Sequence, residues 1–454
     1  MKKISLILFL CIIAFSILRA EDKSVIKLIP VYEKTFQDSI VDVIFDTATV
    51  SITKAKEMGW KDDAFNEEER VKGKATISYP KVVLVSRGKK LGYYAPATKR
   101  SSNTVKEIRF YDRNGTLLNT MEIGKQGREW IHISPNSKYI LMSKIPTEYR
   151  PNYSGGKLYD YNGNKVWENG GPTPIAVSDE GYTVGANLDW QVPPEPGGSF
   201  YIYNPSGKLI KTIANSDKNR SAPLFAKYTS DGEYAVLVFK GTTEPPTTIT
   251  LIKKTGEIMW KKEFSEYRFS GRGEELDILR GVGISGIFDL ITSSSAKKIE
   301  DWKTYAFFID WQGNLKWTVP LEIRGNMIVN ISEDREIAYV VSTEGYIWCI
   351  KIEQGEMVWR HKELWATSPS AKEWSWEVPL LNEMDIKRNT LYIIGKQGRD
   401  WYSSTLFVFN GKSGRLLKKV EYPQEKIFFA KCKRKIGLIN TTKRKMYIFK
   451  KVQK

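Results

Sequence analysis

Short runs of β-forming residues separated by polar turns dominate the hydrophobic pattern of the chain, and this pattern repeats. One turn, which ends in glycine between two such runs, recurs seven times, at Gly115, Gly163, Gly207, Gly256, Gly313, Gly355 and Gly414. The spacing of these glycines averages about 50 residues, a length typical of structural repeats. Glycine suits turns that need a positive φ, so the flanking runs, such as 200–203 and 406–409, predict antiparallel hairpins.

A second family of hairpins, with short polar turns such as 135–137, lies between the glycine-marked hairpins. Each repeat therefore holds four short strands, which is typical of a β-propeller blade. The predicted fold is all-β, a single β-propeller of four-stranded antiparallel blades. The second family, including residues 82–85 with 91–94 and 283–285 with 288–291, predicts eight blades. The seven glycine-marked turns leave seven blades as the alternative.

The two ends of the chain are expected to meet in one blade. The last predicted strand, 446–449, has no later strand to pair with. A strand from the N-terminal segment, either 41–45 or 50–53, would complete the eighth blade and remove the free sheet edges. The sequence therefore predicts a ring closed by pairing of N- and C-terminal strands. Residues 21–75 would form an N-terminal arm that contributes the closing strand, and residues 76–454 the propeller.

The residues after the repeated glycine also follow a pattern. Four copies carry a tryptophan four positions later: Trp167, Trp260, Trp317 and Trp359. This turn, of the form D-x-x-x-G-x-x-x-W, resembles the repeat of the quinoprotein-like (PQQ-type) propeller superfamily, and the Ser/Asp-rich turns of the second family resemble WD40-like repeats. The resemblance covers most of residues 78–450 and implies that these four tryptophans dock neighbouring blades. The vicinal cysteine pair of quinoprotein dehydrogenases has no counterpart here, which favours a non-enzymatic branch.

The connections between strands are long on one face of the predicted propeller. Strand parity places on that face the segments that join second to third strands and one blade to the next, among them 96–106, 145–156, 188–198, 241–247, 264–280, 293–303, 361–377 and 395–403. Long connections on a rigid scaffold are where binding usually resides. A heptapeptide occurs nearly twice on this face, as GKQGREW at 124–130 and GKQGRDW at 395–401.

Aromatic and arginine side chains are frequent on this face, and such side chains are typical anchors of binding surfaces. The candidate ligand-binding residues are Arg128, Trp130, Tyr149, Arg150, Trp190, Arg272, Trp302, Trp365, Trp374, Trp376, Arg399, Trp401 and Tyr402. The alternative is that these aromatic side chains pack as lids over the ends of the blades.

Residues 1–20 have the pattern of a secretory signal peptide. Lys2 and Lys3 precede an apolar run, and Ala20 is a small residue at the predicted cleavage point. An uncleaved anchor helix is the alternative, but the run of about 15 residues is short against the roughly 20 that a membrane span needs. No later stretch is long and apolar enough to span a membrane, so a secreted or periplasmic protein is expected.

Composition and charge limit the chemistry further. Three cysteines and two histidines, His132 and His361, argue against a disulfide scaffold and a metal site, so no metal and no cofactor are predicted. The formal charge of +18 becomes +15 without the three basic residues of the leader. The basic residues are spread, with modest clusters at 431–435 and 443–454. No nucleic-acid partner is therefore predicted, and anionic envelope polymers or lipid head groups are the more natural electrostatic partners.

No catalytic residue is assigned from the sequence. Acidic residues such as Asp189, Glu195, Glu274 and Glu275 have no diagnostic spacing, and no nucleophile-elbow or phosphate-loop motif occurs. The favoured function is a non-catalytic, monomeric propeller that binds a protein, peptide or glycan of the cell envelope through its long-loop face. One alternative is a hydrolase or lyase acting on a glycan or peptide in the central funnel. Another is a cell-envelope assembly scaffold whose partner binds the sides of the blades.

Overall fold

The structure is a computed structural model with eight β-sheets arranged as the blades of an eight-bladed β-propeller, as the sequence predicts. It describes residues 26–38, 40–86, 100–101, 105–123, 129–144, 155–186, 198–214, 221–241, 247–269, 276–291, 302–321, 327–342, 345–362, 383–387, 389–397, 403–430, 432 and 435–453. The predicted signal peptide lies outside these residues.

The first four blades follow one another along the chain. Blade 1 contains β2 (Ile40–Ser51), β3 (Lys74–Ser86), β5 (Val105–Tyr111) and β6 (Leu117–Glu122). Blade 2 contains β7 (Glu129–Ile133), β8 (Tyr139–Lys144), β9 (Gly156–Asp160) and β10 (Lys165–Asn169), with the short strand β4 (Arg100–Ser101) paired to β7. Blade 3 contains β11 (Thr173–Val177), β12 (Thr183–Ala186), β13 (Ser199–Tyr203) and β14 (Leu209–Ala214). Blade 4 contains β15 (Ser221–Tyr228), β16 (Tyr234–Gly241), β17 (Thr247–Lys253) and β18 (Ile258–Phe264).

The remaining blades complete the ring. Blade 5 contains β19 (Tyr267–Phe269) and β20 (Leu276–Leu279), both paired to β21 (Gly283–Ile291), followed by β22 (Trp302–Asp310) and β23 (Leu315–Leu321). Blade 6 contains β24 (Met327–Ile331), β25 (Ile337–Ser342), β26 (Tyr346–Lys351) and β27 (Met357–Lys362). Blade 7 contains β28 (Glu383–Lys387), β29 (Thr390–Gln397), β30 (Ser403–Asn410) and β31 (Leu416–Tyr422). Blade 8 contains β32 (Ile427–Ala430), β33 (Ile436–Asn440), β34 (Lys445–Gln453) and β1 (Ile26–Thr35).

Blade 8 closes the ring by pairing the two ends of the described chain. Strand β1 runs antiparallel to β34, with Ile26 opposite Gln453 and Thr35 opposite Lys445. The prediction of a closing strand at 41–45 or 50–53 is wrong, because residues 41–45 and 50–51 belong to β2, the first strand of blade 1, and residues 52–53 begin the helix that follows it. The strands β1 and β2 have similar β-forming patterns, so the sequence does not distinguish them. The residues between β2 and β3 also hide from sequence analysis that β2 and β3 form a hairpin.

That hairpin contains the helical part of the fold, an insertion at residues 52–73. The insertion consists of α1 (Ile52–Glu57), a 3-10 turn (Asp62–Ala64) and α2 (Glu67–Lys72). The side chain of Ser51 caps α1, while Asn66 and Glu69 form a capping box on α2. Within the described chain, no helix has the length and apolar character that crossing a membrane would require.

Two predicted hairpins differ from the structure in blades 1 and 5. Residues 82–85 lie in β3, a second strand that pairs with β2 on one side and β5 on the other, while residues 91–94 lie outside the described chain. Residues 283–291 form the single strand β21. The segment 264–280, predicted as a long loop, contains β19 and β20, because Phe269, Leu276 and Ile278 are buried against the sheet.

The core lies between neighbouring blades, where the faces of adjacent sheets pack together. Phe200 of blade 3 packs edge-on against Phe239 of blade 4, with ring centroids 4.7 Å apart. Strands in the middle of a blade are covered on both faces, and every residue of β25 and β33 is buried. Such strands are continuous apolar runs, whereas the outermost strands have exposed residues.

Candidate functional site

The strand order gives the ring two different ends. In an antiparallel blade, the connections from first to second and from third to fourth strand lie at one end, here named the short-turn end. Where these connections are fully described they have three to five residues, except for the insertion of blade 1. The opposite end, here named the long-connection end, receives the stretches 145–155, 187–198, 292–301 and 363–382.

At the short-turn end, the glycine of every marked turn except Gly115 packs against the preceding blade. A Cβ on Gly313 would lie 2.8 Å from the ring of Trp260, and one on Gly355 would lie 2.6 Å from Trp317. These glycines have φ values of 87° and 70°. Glycine is therefore needed at these turns for both the backbone conformation and the close approach of the neighbouring ring.

All four tryptophans with the predicted docking role contact the next blade in this way, Trp167 at Gly207 and Trp359 at Gly414. Three of the indoles also donate a hydrogen bond to a backbone oxygen of the next blade: Trp260 to Trp311 (2.9 Å), Trp317 to Ile352 (2.7 Å) and Trp359 to Gly411 (2.9 Å). Nε1 of Trp167 is buried and has no hydrogen-bond partner in the described part of the chain.

Blades without the tryptophan fill the same position with other side chains. Lys211, four residues after Gly207, lies against Gly256 of blade 4. Between blades 8 and 1, Met58 of the insertion lies 3.7 Å from the Cβ position of Gly115. The short-turn end therefore holds the blades in register, and its contacts are those of a scaffold.

Charged side chains tie the first strands of consecutive blades, which contact each other around the axis. Lys227 of β15 donates to Asp277 of β20 (3.0 Å) and to the backbone oxygen of Leu276 (2.8 Å). The other carboxylate oxygen of Asp277 accepts from the backbone N–H of Ile331 in blade 6 (2.8 Å). Asp277 thus joins blades 4, 5 and 6, and both of its oxygens are engaged.

The short turns nearest the axis are joined in a similar way. The buried carboxylate of Asp179 accepts from the backbone and side-chain amides of Asn136, at 2.8 and 2.7 Å. The same Asn136 side chain donates to the backbone oxygen of Ser230 (3.0 Å). Three turns, from blades 2, 3 and 4, therefore converge on one hydrogen-bond network.

Asp385 in β28 of blade 7 is the described acid whose environment most disfavours its charged form. Burial raises the pKa of Asp385, although Nζ of Lys387 lies 3.1 Å from its carboxylate. The charge of Glu333 on the neighbouring blade acts in the same direction as burial. This carboxylate and its lysine are a local ion pair on the axial side of blade 7.

Two of the predicted ligand-binding residues lie within the described chain, at the long-connection end. Trp130 in β7 is half-buried, opposite Ser101 and Ser143, and its ring centroid lies 6.4 Å from that of His132. Trp302 is the first residue of β22, opposite Ile291. The other candidates lie outside the described residues: Arg128, Tyr149, Arg150, Trp190, Arg272, Trp365, Trp374, Trp376, Arg399, Trp401 and Tyr402.

Blade 2 also carries a lysine cluster beside this end. Lys144, Lys157 and Lys165 surround the carboxylate of Glu168 at 3.5, 3.5 and 3.2 Å. The hydrogen bond from Lys165 is the main reason that the pKa of Glu168 is lowered. The cluster is basic overall, so it suits a polar or acidic ligand group better than a cationic one.

The described residues provide no arrangement of three histidine, cysteine or acidic side chains that could hold a metal ion. Cys349 and Cys432 are both buried free thiols, and burial raises the pKa of Cys349 to about 12. A thiol in that environment is not a nucleophile at neutral pH. His132 and His361 lie in strands β7 and β27.

The class defined by these features is an eight-bladed β-propeller. Among solved structures, the chain is similar to BamB from Moraxella catarrhalis, with a TM-score of 0.50, 8% sequence identity and coverage of 93% of this chain and 100% of that one. It is also similar to the Dos1 propeller, with a TM-score of 0.51, 8% identity and coverage of 93% and 94%. At such identities the likeness concerns the fold. No protein-family model matches the chain, and no curated protein matches it in sequence.

Sequence reasoning missed the axial ties. Asp179 and Asp277 look like ordinary surface acids in the sequence, because their partners are on other blades, about one repeat away along the chain. The sequence contains one signal for these ties. An acidic or amide residue lies in or near the inner turns of blades 2, 3 and 4, and such side chains accept or donate hydrogen bonds in turns.

Proposed function

We propose that the protein is a non-catalytic binding propeller of the cell envelope, secreted or periplasmic, whose long-connection end takes a protein, peptide or glycan. The observation that carries this proposal is the difference between the two ends. Tight turns, glycine contacts and axial ion pairs occupy the short-turn end, whereas the long connections leave and rejoin the ring at the other end.

A rigid ring with long connections at one end is the usual arrangement of a binding platform, because the scaffold fixes where the connections begin and end. Trp130 and Trp302 mark this end in blades 2 and 5, and the lysine cluster around Glu168 adds positive charge beside it. The resemblance of the repeat to non-enzymatic quinoprotein-like propellers supports the same function. The carboxylates of Asp277 and Asp179 are engaged in ties between blades, which favours a structural use of the axial acids.

Site-specific photo-crosslinking in intact cells tests this function. A photoreactive residue replaces Trp302 at the long-connection end, and in a matched protein it replaces Tyr161, an exposed residue in a tight turn at the other end. We expect a discrete adduct from position 302 and none of the same mass from position 161. The double substitution Arg399→Ala and Trp401→Ala should remove the adduct.

Two outcomes would contradict the proposal. An adduct from position 161 alone would place the partner at the short-turn end. An adduct from position 302 that survives the Arg399→Ala and Trp401→Ala substitutions together with Trp130→Ala would place the contact on residues other than the predicted anchors.

The second candidate is an assembly scaffold whose partner binds the sides of the blades. Exposed aliphatic residues at the same place in several outermost strands favour it: Leu117, Leu118, Leu209, Ile210, Ile258, Met259 and Leu416. Isolated exposed aliphatic residues are common, so the repetition around the ring is the relevant observation. A photoreactive residue at Leu118 that gives the main adduct, with none from position 302, would favour this candidate over the first.

A further inference from the structure

The positive charge of the chain is concentrated at one place in the ring. Residues 403–454 contain fifteen lysines and arginines and only two acids, Glu421 and Glu425. The rest of the chain contains 55 basic and 50 acidic residues, so the last 52 residues carry +13 of the total charge of +18. The sequence-based interpretation of spread charge with modest clusters is therefore wrong in this region.

Eleven of these basic residues are described, and they lie on blades 7 and 8. We name as the basic sector the six of these residues that lie at the seam between the two blades. Lys412, Arg415, Lys418 and Lys419 are on the turn and outermost strand of blade 7, and Lys450 and Lys451 are near the end of β34. All of these except the half-buried Lys418 are exposed.

The two parts of the basic sector are neighbours. Phe449 of β34 packs against the same hydrophobic cluster as Leu417 and Val420 of β31. Lys451 Nζ donates to Thr390 Oγ1 of blade 7 at 2.8 Å. The sector is thus one continuous side of the ring that spans the seam between blades 7 and 8.

Nearby acids do not neutralise this surface. Glu421 pairs with Lys419 at 2.8 Å and Glu425 with Lys443 at 2.5 Å, which uses both acids of this stretch. Glu33 of β1 pairs with Lys445 at 2.7 Å, and Glu336 of blade 6 lies 4.0 Å from Lys412, where both side chains are exposed. The insertion next to blade 8 has six acidic and five basic residues and is nearly neutral. A clear excess of positive charge therefore faces solvent.

The chemistry of the basic sector favours a membrane surface over other polyanions. Nine of the eleven described basic residues are lysines, and lysine is depleted in protein–protein interfaces. Nucleic-acid sites add exposed aromatic rings for stacking, whereas Phe428, Phe429 and Tyr447 of blade 8 are half-buried. The side of a propeller is convex and offers no groove for a ligand. Lysines can still bind a membrane there, because the negative potential of lipid head groups is diffuse and attracts them without a groove.

An exposed aliphatic residue accompanies these lysines. Leu416, at the start of β31, has 36% of its surface exposed and lies between Arg415 and the two lysines that follow Leu417. Lysine and arginine around a shallow aliphatic contact is the composition of surfaces that lie on anionic bilayers.

We propose that the basic sector docks the propeller sideways on the surface of an anionic lipid bilayer. This inference goes beyond the proposed function, because it concerns the side of the ring and not its long-connection end. The ring would then hold its axis along the membrane plane, with the long-connection end accessible from the side.

Vesicle co-sedimentation of the full chain tests the proposal. The probes are phosphatidylcholine vesicles with about 30% phosphatidylglycerol and vesicles of phosphatidylcholine alone, which control for any binding through the apolar residues near the N-terminus. One variant carries Lys412→Gln, Lys418→Gln and Lys450→Gln. The matched control variant carries Lys208→Gln, Lys262→Gln and Lys316→Gln, three exposed lysines on blades 3, 4 and 5.

We expect binding to the anionic vesicles only, with an affinity that falls as salt is added. Each lysine near an anionic surface contributes about fivefold to the affinity for the vesicles. The basic-sector variant, which lacks three of them, should therefore bind roughly a hundredfold more weakly. The control variant should lose less than about threefold, since its lysines would lie far from the bilayer. Unchanged thermal unfolding of both variants checks that they fold.

Three results would overturn the proposal. One is equal binding to neutral and anionic vesicles, and another is equal weakening by the two triple variants. The third is tighter binding to polyglutamate or to a DNA oligonucleotide than to the anionic vesicles, which would assign the basic sector to an acidic protein or a nucleic acid. The photo-crosslinking experiment tests the long-connection end, whereas the vesicle experiment tests the basic sector on the side of the ring. Either proposal can therefore fail while the other stands.

Discussion

The seam between blades 5 and 6 and the seam between blades 8 and 1 reach the same packing with different parts of the chain. In the first, Trp317 covers Gly355 and donates to the backbone oxygen of Ile352. In the second, Met58 covers Gly115, and the indole of Trp60 packs on Tyr32 of β1 with ring centroids 5.3 Å apart. We name the second the closing seam.

The difference follows from how the ring is closed. The outermost strand of blade 8 is β1, which enters from the N-terminal side and is not preceded by the repeated glycine turn. The repeat therefore cannot deliver a tryptophan to the closing seam. The insertion supplies substitutes, and Trp60, Phe65 and Ala55 share one buried cluster with Val31 of β1 and Ile448 of β34. A repeat protein thus needs a part that does not repeat where its ends meet.

The largest effect is expected from emptying the closing seam. Trp60 is 3% exposed, and Lys61 beside it donates its backbone N–H to Val31 (2.9 Å). Trp60→Ala should lower the free energy of unfolding by about 3–5 kcal/mol, because it leaves a cavity under the closing strand. Urea unfolding measures this change.

Val71 on the same insertion is 84% exposed and provides the control. Val71→Ala should change the free energy of unfolding by less than about 0.5 kcal/mol. Equal stability of the Trp60→Ala protein and the parent would mean that the insertion does not hold β1.

The next effect concerns the glycine contact of a regular seam. Gly355→Ala should cost about 2–4 kcal/mol, because the new methyl group meets Trp317 and the residue must keep a positive φ. Gly73→Ala isolates the cost of the positive φ, since Gly73 has a φ of 65° with no atom within 4 Å of the Cβ position. It should cost about 1 kcal/mol. Equal costs for the two substitutions in urea unfolding would show that the ring contact does not matter.

A smaller effect distinguishes two tryptophan seams. Trp359→Phe removes the hydrogen bond to Gly411, whereas Trp167→Phe removes an indole N–H with no partner among the described residues. Both substitutions lose similar packing, so Trp359→Phe should be the more destabilising by about 1 kcal/mol. A reversed order in thermal and urea unfolding would contradict the assigned hydrogen bond.

The smallest effect depends on pH. Asp38, between β1 and β2, accepts from Lys106 (2.7 Å) and Arg109 (2.6 Å), and the hydrogen bond from Lys106 is the main reason that its pKa is lowered. The stabilisation is therefore complete above the unfolded pKa of about 3.9 and is lost as pH falls through the lower folded value.

Asp38→Asn should accordingly cost up to about 1 kcal/mol near neutral pH, and this difference should vanish in strong acid. Urea unfolding of both proteins across this pH range measures it. A difference that stays constant with pH would assign the effect of Asp38 to packing and not to charge.

The fold could be predicted from the sequence wherever a local pattern determines it. The repeated glycine turns and the second family of hairpins together indicate four-stranded blades. The second family predicts eight of them, and the structure confirms eight. The identity of the closing strand could not be predicted, because β1 and β2 have equally good β patterns and only pairing with β34 distinguishes them.

The candidate site was less accessible to sequence reasoning. Trp130 and Trp302 lie in strands at the long-connection end, while the proposed anchors Arg399 and Trp401 are outside the described residues. The axial role of Asp277 depends on partners in two other blades. The basic sector, in contrast, was detectable, since a running charge count shows that only two acids follow residue 402.

Hydrogen–deuterium exchange of the native protein, followed by peptide mass spectrometry, tests most directly that β1 closes the ring under the insertion. If β1 closes the ring, the alternate amides of β1 that donate to β34 should be protected as well as the amides of β33, the buried strand of the same blade, while the outward-facing amides of β1 exchange. Rapid exchange throughout β1, with full protection of β33 and β34, would show that the ring is not closed by the N-terminal strand and would contradict the account.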